Sequence, residues 1–421
     1  MTELLKCLVC GSTDLTNYLN LGDQPLANSF PKREAVIFDI NSATPPTEQG
    51  EAKFPLRVNY CNDCSHSQLS ELVDPTLLFE DYLYVSGTSQ TLKNHFTGLA
   101  RDCAGRIRNS NRPTVLSIGC NDATDLQAFQ EIGFSVLGCD PAENLRPLSS
   151  AKGISVIVDF WDDAVAEVVG KFDVILGCNV LAHNYDPVGF LKACKLALAP
   201  EGIVVIEFPL WTNSVKSVDV GQVYHEHLNY ISLASIAKLA EQARLRIDDI
   251  LEFPDIHGGT VRVVMNSDAR EPHCSKFRSM LKTEKVQGFH DLGTYTTFAE
   301  NVNKNIFALI TAISVQKQIG FTPIGFGAAA KTSSILNSAP GFIKIDYVVD
   351  DAPMKVGRYI PGSPIPILPT DALKDQPGLL AIVIFAHNFK DEIIKKIKAQ
   401  RQVPGDVIIN VVPGVSVEDL Y

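Results

Sequence analysis

The stretch TVLSIGCND, residues 114–122, decides the fold. Its first six residues are a short apolar run closed by Gly119, the pattern of a buried strand stepping into a turn. Working outward, residues 123–132 carry a helical pattern, and FSVLGCD (134–140) is a second strand ending on Asp140. ISVIV (154–158) is a third, followed by Asp159 and Phe160, and FDVILG (172–177) is a fourth, followed by Asn179 and His183. A helix over 187–198 and a fifth strand, GIVVIEF (202–208), extend the run, and 90–108 reads as a helix upstream of it. Strands and helices alternating at this pitch predict a parallel, doubly wound α/β sheet.

Beyond residue 275 the pattern restarts. Residues 276–319 read as helical with a break near 288–293, then come strands at 322–326, 345–350, 379–386 and 406–412, with a charged helix over 388–400. This predicts a second, smaller α/β domain. The expected division is 1–75, 76–275 and 276–421, which suits a chain of 421 residues.

Composition narrows the function classes. A net charge of −11 and the lack of a basic stripe disfavour binding to nucleic acid. The N-terminus MTELLKCLVCGS has no apolar signal region, and no run approaches 18 apolar residues, so neither export nor a membrane is expected. The expected location is cytoplasmic, where structural disulfides are rare, and the expected state is a monomer or weak dimer.

The ten cysteines must therefore be thiols or metal ligands. Cys7 with Cys10 and Cys61 with Cys64 form two Cys-x-x-Cys pairs, and two such knuckles make a closed Cys₄ site suited to structural Zn²⁺. Unrelated buried cysteines or a redox pair are the alternatives, and the gap between the pairs is longer than in common zinc ribbons. Residues 35–53, with Pro45, Pro46 and Gly50, read as the loop joining the knuckles.

Ligands of doubly wound sheets sit at the C-terminal strand edge. Gly119, Asn121 and Asp122 end the first strand there, and Asp140 ends the second with an acid able to accept from ribose hydroxyls. Asp159 and Phe160 offer an acceptor and a stacking surface for adenine. These strand ends resemble class I S-adenosylmethionine-dependent methyltransferases. Two positions depart from that pattern: Ser117 stands where an acid is usual and Ala123 where a glycine is usual. The first departure leaves the holder of the methionine amino group open, with Asp122 or Asn179 as substitutes.

Past the fifth strand, Tyr224, His225, Glu226 and His227 cluster titratable groups. A histidine beside a carboxylate suits proton transfer, and a tyrosine hydroxyl suits an oxyanion. A metal site on His225 and His227 is an alternative that lacks a third ligand. Tyr82 and Tyr84 precede a Ser-Gly-Thr-Ser turn that is able to close over a substrate.

Taken in order, CLVCG, LGDQPLANSF, YCNDC, YLYVSGTSQT, IGCND, CNVLAH, YHEHLNY, HGGTVRV, GFGAAAK and PGSPIPIL span nearly the whole chain. This series resembles the sugar C-methyltransferases that act on nucleotide-linked keto-deoxysugars, including the C-3'-methyltransferases of antibiotic sugar pathways. The resemblance implies a zinc-binding N-terminal domain, a class I methyltransferase core, and a C-terminal Rossmann-like domain that helps hold the nucleotide sugar. It implies S-adenosylmethionine as methyl donor, His227 as the base that removes the C3 proton of a 4-keto sugar, and Glu226 as its orienting partner. Tyr224 and His183 match the enolate-stabilising positions, and Tyr82 and Tyr84 match the active-site tyrosines.

In the C-terminal region, Gly325, Gly327 and Lys331 open a helix after a strand, a turn suited to a pyrophosphate, with Ser333 beside it. Asp350 ends the next strand and is placed to meet a ribose. His257 and Arg262 are expected to line a substrate cleft. The competing classes are a zinc-ribbon nucleic-acid binder with a degenerate core and an NAD-dependent oxidoreductase using the C-terminal Gly-x-Gly turn.

Overall fold

The computed structural model describes residues 1–32, 51–79, 82–107, 112–256 and 258–421. Most of the expected loop 35–53 and the substrate candidate His257 lie outside the described residues. The chain packs as two compact units. The first comprises Met1–Asn17, Val58–Asn213 and Glu226–Leu292, and the second Tyr18–Arg57, Ser214–His225 and Gly293–Tyr421.

A seven-stranded sheet forms the core of the first unit. Its strands are β1 (Thr114–Ile118), β2 (Ser135–Cys139), β3 (Val156–Ile157), β4 (Phe172–Cys178), β5 (Leu198–Pro209), β6 (Arg246–Phe253) and β7 (Thr260–Asn266). They lie in the order β6-β7-β5-β4-β1-β2-β3, with β1 to β5 parallel and β7 antiparallel to both neighbours. The strand order reverses at β1, which has β4 on one side and β2 on the other. That switch point is where a doubly wound sheet takes its ligand.

Successive residues of β1 enter opposite core layers. Leu116 and Ile118 pack with Ile175, Val204 and Ile206, while Val115 packs with Val174, Leu176 and Val205. A sheet covered on both faces needs such unbroken apolar strands, which is why 114–118 and 202–208 were legible in the sequence. The final hairpin was not. β6 carries Asp248 and Asp249, and its register slips between Ile247 and Asp249, so the alternation is broken.

The second unit contains a six-stranded sheet of β8 (Thr322–Phe326), β9 (Val348–Asp350), β10 (Ile367–Pro369), β11 (Leu380–Ile384), β12 (Val407–Asn410) and β13 (Ser416–Asp419). Their order is β10-β9-β8-β11-β12-β13, parallel except for β13. The helical break is where the sequence placed it, between helices Ser275–Val286 and Leu292–Gln318. A smaller sheet orders strands 229–230, 67–69, 53–61 and 15–25. Among the described residues, no helix is long and apolar enough to cross a membrane.

Candidate functional site

The two cysteine knuckles share one backbone design. Gly11 N–H donates to Cys7 O and Ser65 N–H to Cys61 O, both at 2.9 Å. Gly11 and Ser65 take left-handed φ values of 78° and 62°, which close each turn. The four Sγ atoms lie within 4.8 Å of one another, with Cys7–Cys64 at 3.6 Å and Cys10–Cys61 at 3.5 Å. Tetrahedral zinc with Zn–S bonds of about 2.3 Å sets sulfurs about 3.8 Å apart, so these residues fit the ion. The site has four sulfur ligands and is structural.

This module is tied to a loop further along the chain. Strand 67–69 pairs with Asn229–Tyr230, and Leu69 N–H donates to Leu228 O at 3.0 Å. His66 is fully buried between Ser235 Oγ (2.9 Å) and Asn229 Oδ1 (3.1 Å), and Asn229 Nδ2 donates to Asn184 O at 2.6 Å. The zinc knuckles therefore brace both His227, two residues before Asn229, and the turn that holds His183.

The loop after β1 carries a run of left-handed backbone. Gly119, Asn121 and Ala123 alternate through left-handed φ values of 65°, 54° and 59°. Asparagine tolerates that region, and alanine pays on the order of 1–2 kcal/mol for it. The turn therefore survives with asparagine at 121 and with alanine at 123, where glycine is usual. Asp140 locks it: Oδ2 accepts from Asn121 N–H at 2.8 Å and Oδ1 from Ala142 N–H at 2.9 Å. Burial pushes the Asp140 carboxyl up, and these two N–H groups pull it back. Each oxygen retains a lone pair for a ribose hydroxyl.

The acid missing at Ser117 arrives from the following helix. Ser117 Oγ donates to Asp125 Oδ2 at 2.5 Å, and Asp125 is buried, its carboxyl pushed up to about 6 by desolvation. Asp125 was not singled out in the sequence, where it reads as an ordinary first-turn acid. Asp122 is buried too: Oδ2 accepts from Lys152 Nζ (2.7 Å) and Thr124 Oγ1 (2.8 Å), while Oδ1 has no partner. Asn179, at a φ of 57°, likewise leaves a buried Oδ1 unpaired. Two orphaned acceptors at the switch point fit a donor group of the cofactor, such as an ammonium. Asp159 is exposed, accepting from Phe160 N–H at 2.8 Å, and Phe160 is half-buried.

The catalytic candidates of the first unit meet. His183 and His227 stand edge to face with ring centres 4.9 Å apart, and Tyr82 Oη donates to Glu226 Oε2 at 3.2 Å. Phe79 packs on both Tyr82 and His183. Desolvation holds His183 down at about 4, so it is neutral, and its Nδ1 is buried without a hydrogen-bond partner. Tyr84 is 37% exposed, yet burial of its hydroxyl end, with Asp122 nearby, pushes it up to about 12. Tyr224 and His225 fall in the second unit; Tyr224 is half-buried and His225 Nε2 lies 3.2 Å from Phe54 O.

Two expected substrate contacts are corrected. Arg262, on β7, is 2% exposed: its Nε meets Glu207 Oε1 at 2.6 Å, its NH1 Asp102 Oδ2 at 3.3 Å, and its guanidinium covers Phe253. His95 Nε2 closes the network on Glu207 at 2.8 Å. The guanidinium is consumed by these partners inside the first unit. Ser333 is equally spent, buried with its hydroxyl donating to Ala27 O at 2.9 Å.

Lys331 is no free cation either. Its Nζ lies 4.0 Å from Asp219 Oδ2, which also meets His387 Nε2 at 3.1 Å, so an anion there must share the charge. Asp350 repeats the Asp140 design: Oδ2 accepts from Ala328 N–H at 2.6 Å and Oδ1 from Ala352 N–H at 2.7 Å. Gly119 N–H donates to Cys139 O and Gly327 N–H to Val349 O, both at 2.8 Å. In each unit two of these bonds latch a strand-turn to the next strand, and the third closes the turn that follows that strand.

The sheet order, the latched glycine loop and the Cys₄ site define a class I S-adenosylmethionine-dependent methyltransferase with a structural zinc module. The comparisons narrow this further. Residues 7–79 match a family described as "Putative zinc binding domain", 95–249 a methyltransferase domain, and 255–413 a C-methyltransferase C-terminal domain. C-methyltransferase NovU of Streptomyces niveus is 30% identical over 400 residues, covering 92% of this chain and 91% of NovU. The chain belongs to this C-methyltransferase family, and its reaction is methyl transfer from S-adenosylmethionine to carbon. A ubiquinone biosynthesis O-methyltransferase of Actinobacillus pleuropneumoniae serotype 5b (strain L20) is 28% identical over 158 residues, covering 32% of this chain and 67% of that one. A solved S-adenosylmethionine-dependent methyltransferase from Clostridium acetobutylicum ATCC 824 overlaps 41% of this chain and 91% of its own, at 12% identity and a TM-score of 0.35.

Proposed function

We propose that this chain methylates C3 of a nucleotide-linked 4-keto-6-deoxy sugar in the cytoplasm. The observation that carries this reading is the cluster of buried Glu226 and His227 with half-buried His183 and Tyr82. A carbon nucleophile needs a proton removed first, and a ketone acidifies the adjacent C–H. His227 takes the C3 proton, and its electron pair passes into an enolate. Neutral His183, unable to compete as a base at pH 7, is placed to donate a hydrogen bond to the enolate oxygen. Tyr82 fixes the Glu226 carboxylate that orients the base.

S-adenosylmethionine, when bound, supplies an electrophilic methyl group on a sulfonium. Gly119, Asn121, Asp122, Asp140 and Asn179 are the residues that would hold it, with Asp159 and Phe160 at the adenine end. The enolate carbon forms the new C–C bond, the methyl–sulfur bond breaks, and the proton stays on His227 until solvent removes it. In the second unit, Gly327 and Asp350 have the form of a nucleoside-binding turn, consistent with a nucleotide-bearing acceptor.

The test is incubation with S-adenosylmethionine and a panel of dTDP- and GDP-linked 4-keto-6-deoxy sugars. The expected product carries one added methyl on carbon and loses the C3 hydrogen. No methylated product from any member of the panel overturns the sugar assignment while leaving the family membership intact.

A further inference from the structure

The segment Tyr82–Ser89 lies against the cofactor loop of the same unit, and two asparagines fasten it there. Asn144 Oδ1 accepts from Tyr82 N–H at 3.1 Å, and Asn144 Nδ2 donates to Tyr82 O at 2.9 Å. Asn121 repeats the arrangement two residues on: Nδ2 donates to Tyr84 O at 3.0 Å and Oδ1 accepts from Ser86 N–H at 2.9 Å. A side-chain amide carries one acceptor and a donor in fixed geometry, so each asparagine supplies what a neighbouring strand would. At Gly87 a Cβ would fall 2.3 Å from Asp122 Oδ2 and 2.6 Å from Thr124 Oγ1, so only glycine lets the segment settle that close. The two asparagines come from different places, Asn121 from the turn after β1 and Asn144 from the turn after β2. Both strand ends that suit the cofactor are therefore fastened to the segment that carries Tyr82.

We infer that Asn144 is a positioning residue for methyl transfer: with Asn121 it clasps the Tyr82–Ser89 segment to the cofactor strand ends, which seats Tyr82 on Glu226. The inference rests on the catalytic reading of Tyr82 and Glu226 given above. It adds a residue that has no part in the proton transfer and stands outside the strand-end pattern. It also gives the Asn121 side chain a role of its own. Asparagine tolerates the left-handed backbone and adds a side chain that grips the segment.

The experiment compares wild type, Asn144→Ala, the near-isosteric Asn144→Asp, and Tyr82→Phe. The first two measurements are backbone hydrogen exchange and binding of S-adenosylhomocysteine by calorimetry, neither of which needs a methyl acceptor. Asn144→Ala and Asn144→Asp are expected to speed amide exchange across residues 82–89 at least tenfold, with strand Thr114–Ile118 unchanged, and to weaken S-adenosylhomocysteine three- to tenfold. The third measurement is a kcat cycle on the keto-sugar panel. Asn144→Ala alone should lower kcat at least tenfold and add little on the Tyr82→Phe background, because both act through Glu226. Unchanged exchange in both Asn144 variants overturns the clasp. Faster exchange with unchanged S-adenosylhomocysteine affinity, or strictly multiplicative kcat losses, overturns the positioning role. Wild-type turnover by Tyr82→Phe overturns the catalytic reading and this inference with it. If no sugar is methylated, the exchange and binding arms still decide the clasp.

Discussion

Ser117 Oγ donates to Asp125 Oδ2 beneath the cofactor loop, and both side chains are sealed from solvent. The strand end thus recovers a carboxyl from the first turn of the helix that follows. Because burial raises the Asp125 carboxyl to about 6 from 3.8, the folded protein holds a proton there that the unfolded chain has released. The sign follows from linkage: this contribution to stability is present below about pH 4 and is lost as pH rises through about 6. Asp125→Asn stays neutral and still accepts from Ser117. Denaturant titrations at pH 4 and pH 7.5 should therefore show the wild type losing on the order of 3 kcal/mol relative to Asp125→Asn. Parallel pH dependence in the two proteins would contradict this assignment.

Removing the proposed base should separate binding from chemistry. His227→Asn is expected to bind S-adenosylhomocysteine within a factor of about three of wild type and to lose about 10²–10⁴ in kcat. His183→Phe, which fills the ring position without a donor, should fall by a similar or smaller factor. Calorimetry paired with single-turnover kinetics checks both variants.

Asp140 and Asp350 each accept two backbone N–H bonds at a strand end, in different units, so they are expected to serve different ligands. Asp140→Ala should weaken S-adenosylhomocysteine at least tenfold. Asp350→Ala should leave that affinity within twofold and weaken dTDP instead. Isothermal titration of both variants with both ligands gives four numbers, and a uniform loss in all four would point to misfolding rather than to two sites.

Zinc should be read out in catalysis as well as in folding, because strand 67–69 holds Leu228 to Tyr230 in register beyond His227. Elemental analysis should give one zinc per chain. Cys61→Ser should lose the metal and lower turnover before it lowers cofactor affinity, since His66 and Asn229 brace the His227 loop rather than the β1 turn. Equal loss of both would place the damage in the whole unit.

The Glu207 network offers a stability test. Desolvation alone would raise the Glu207 carboxyl, but His95 and Arg262 hold it below its ordinary value, so its contribution is present near neutral pH and is lost as pH falls below the ordinary carboxylate range. Arg262→Met should cost about 3–5 kcal/mol by stranding the Glu207 charge, and adding Glu207→Leu should recover much of that loss. Urea denaturation of the single and double variants at pH 7 is the measurement.

What the sequence determined by itself was whatever rests on local periodicity and spacing. TVLSIG and GIVVIEF announced buried parallel strands because a sheet covered on both faces admits few polar residues. The Cys-x-x-Cys pairs announced a metal site because short spacing preorganises two sulfurs. Gly119 and Asp140 could be placed as strand-end positions. Tertiary structure decided what each polar side chain does. Arg262, Ser333 and Lys331 looked available along the chain, yet Glu207, Ala27 and Asp219 occupy them from 55, 306 and 112 residues away. Asp125, Asn144 and His66 looked ordinary, yet each completes a bond beyond its own element, Asp125 to Ser117, Asn144 to Tyr82, and His66 to Ser235 and Asn229. A buried polar group must find its partner wherever the fold places one, and that location is set by strand order rather than by neighbouring residues.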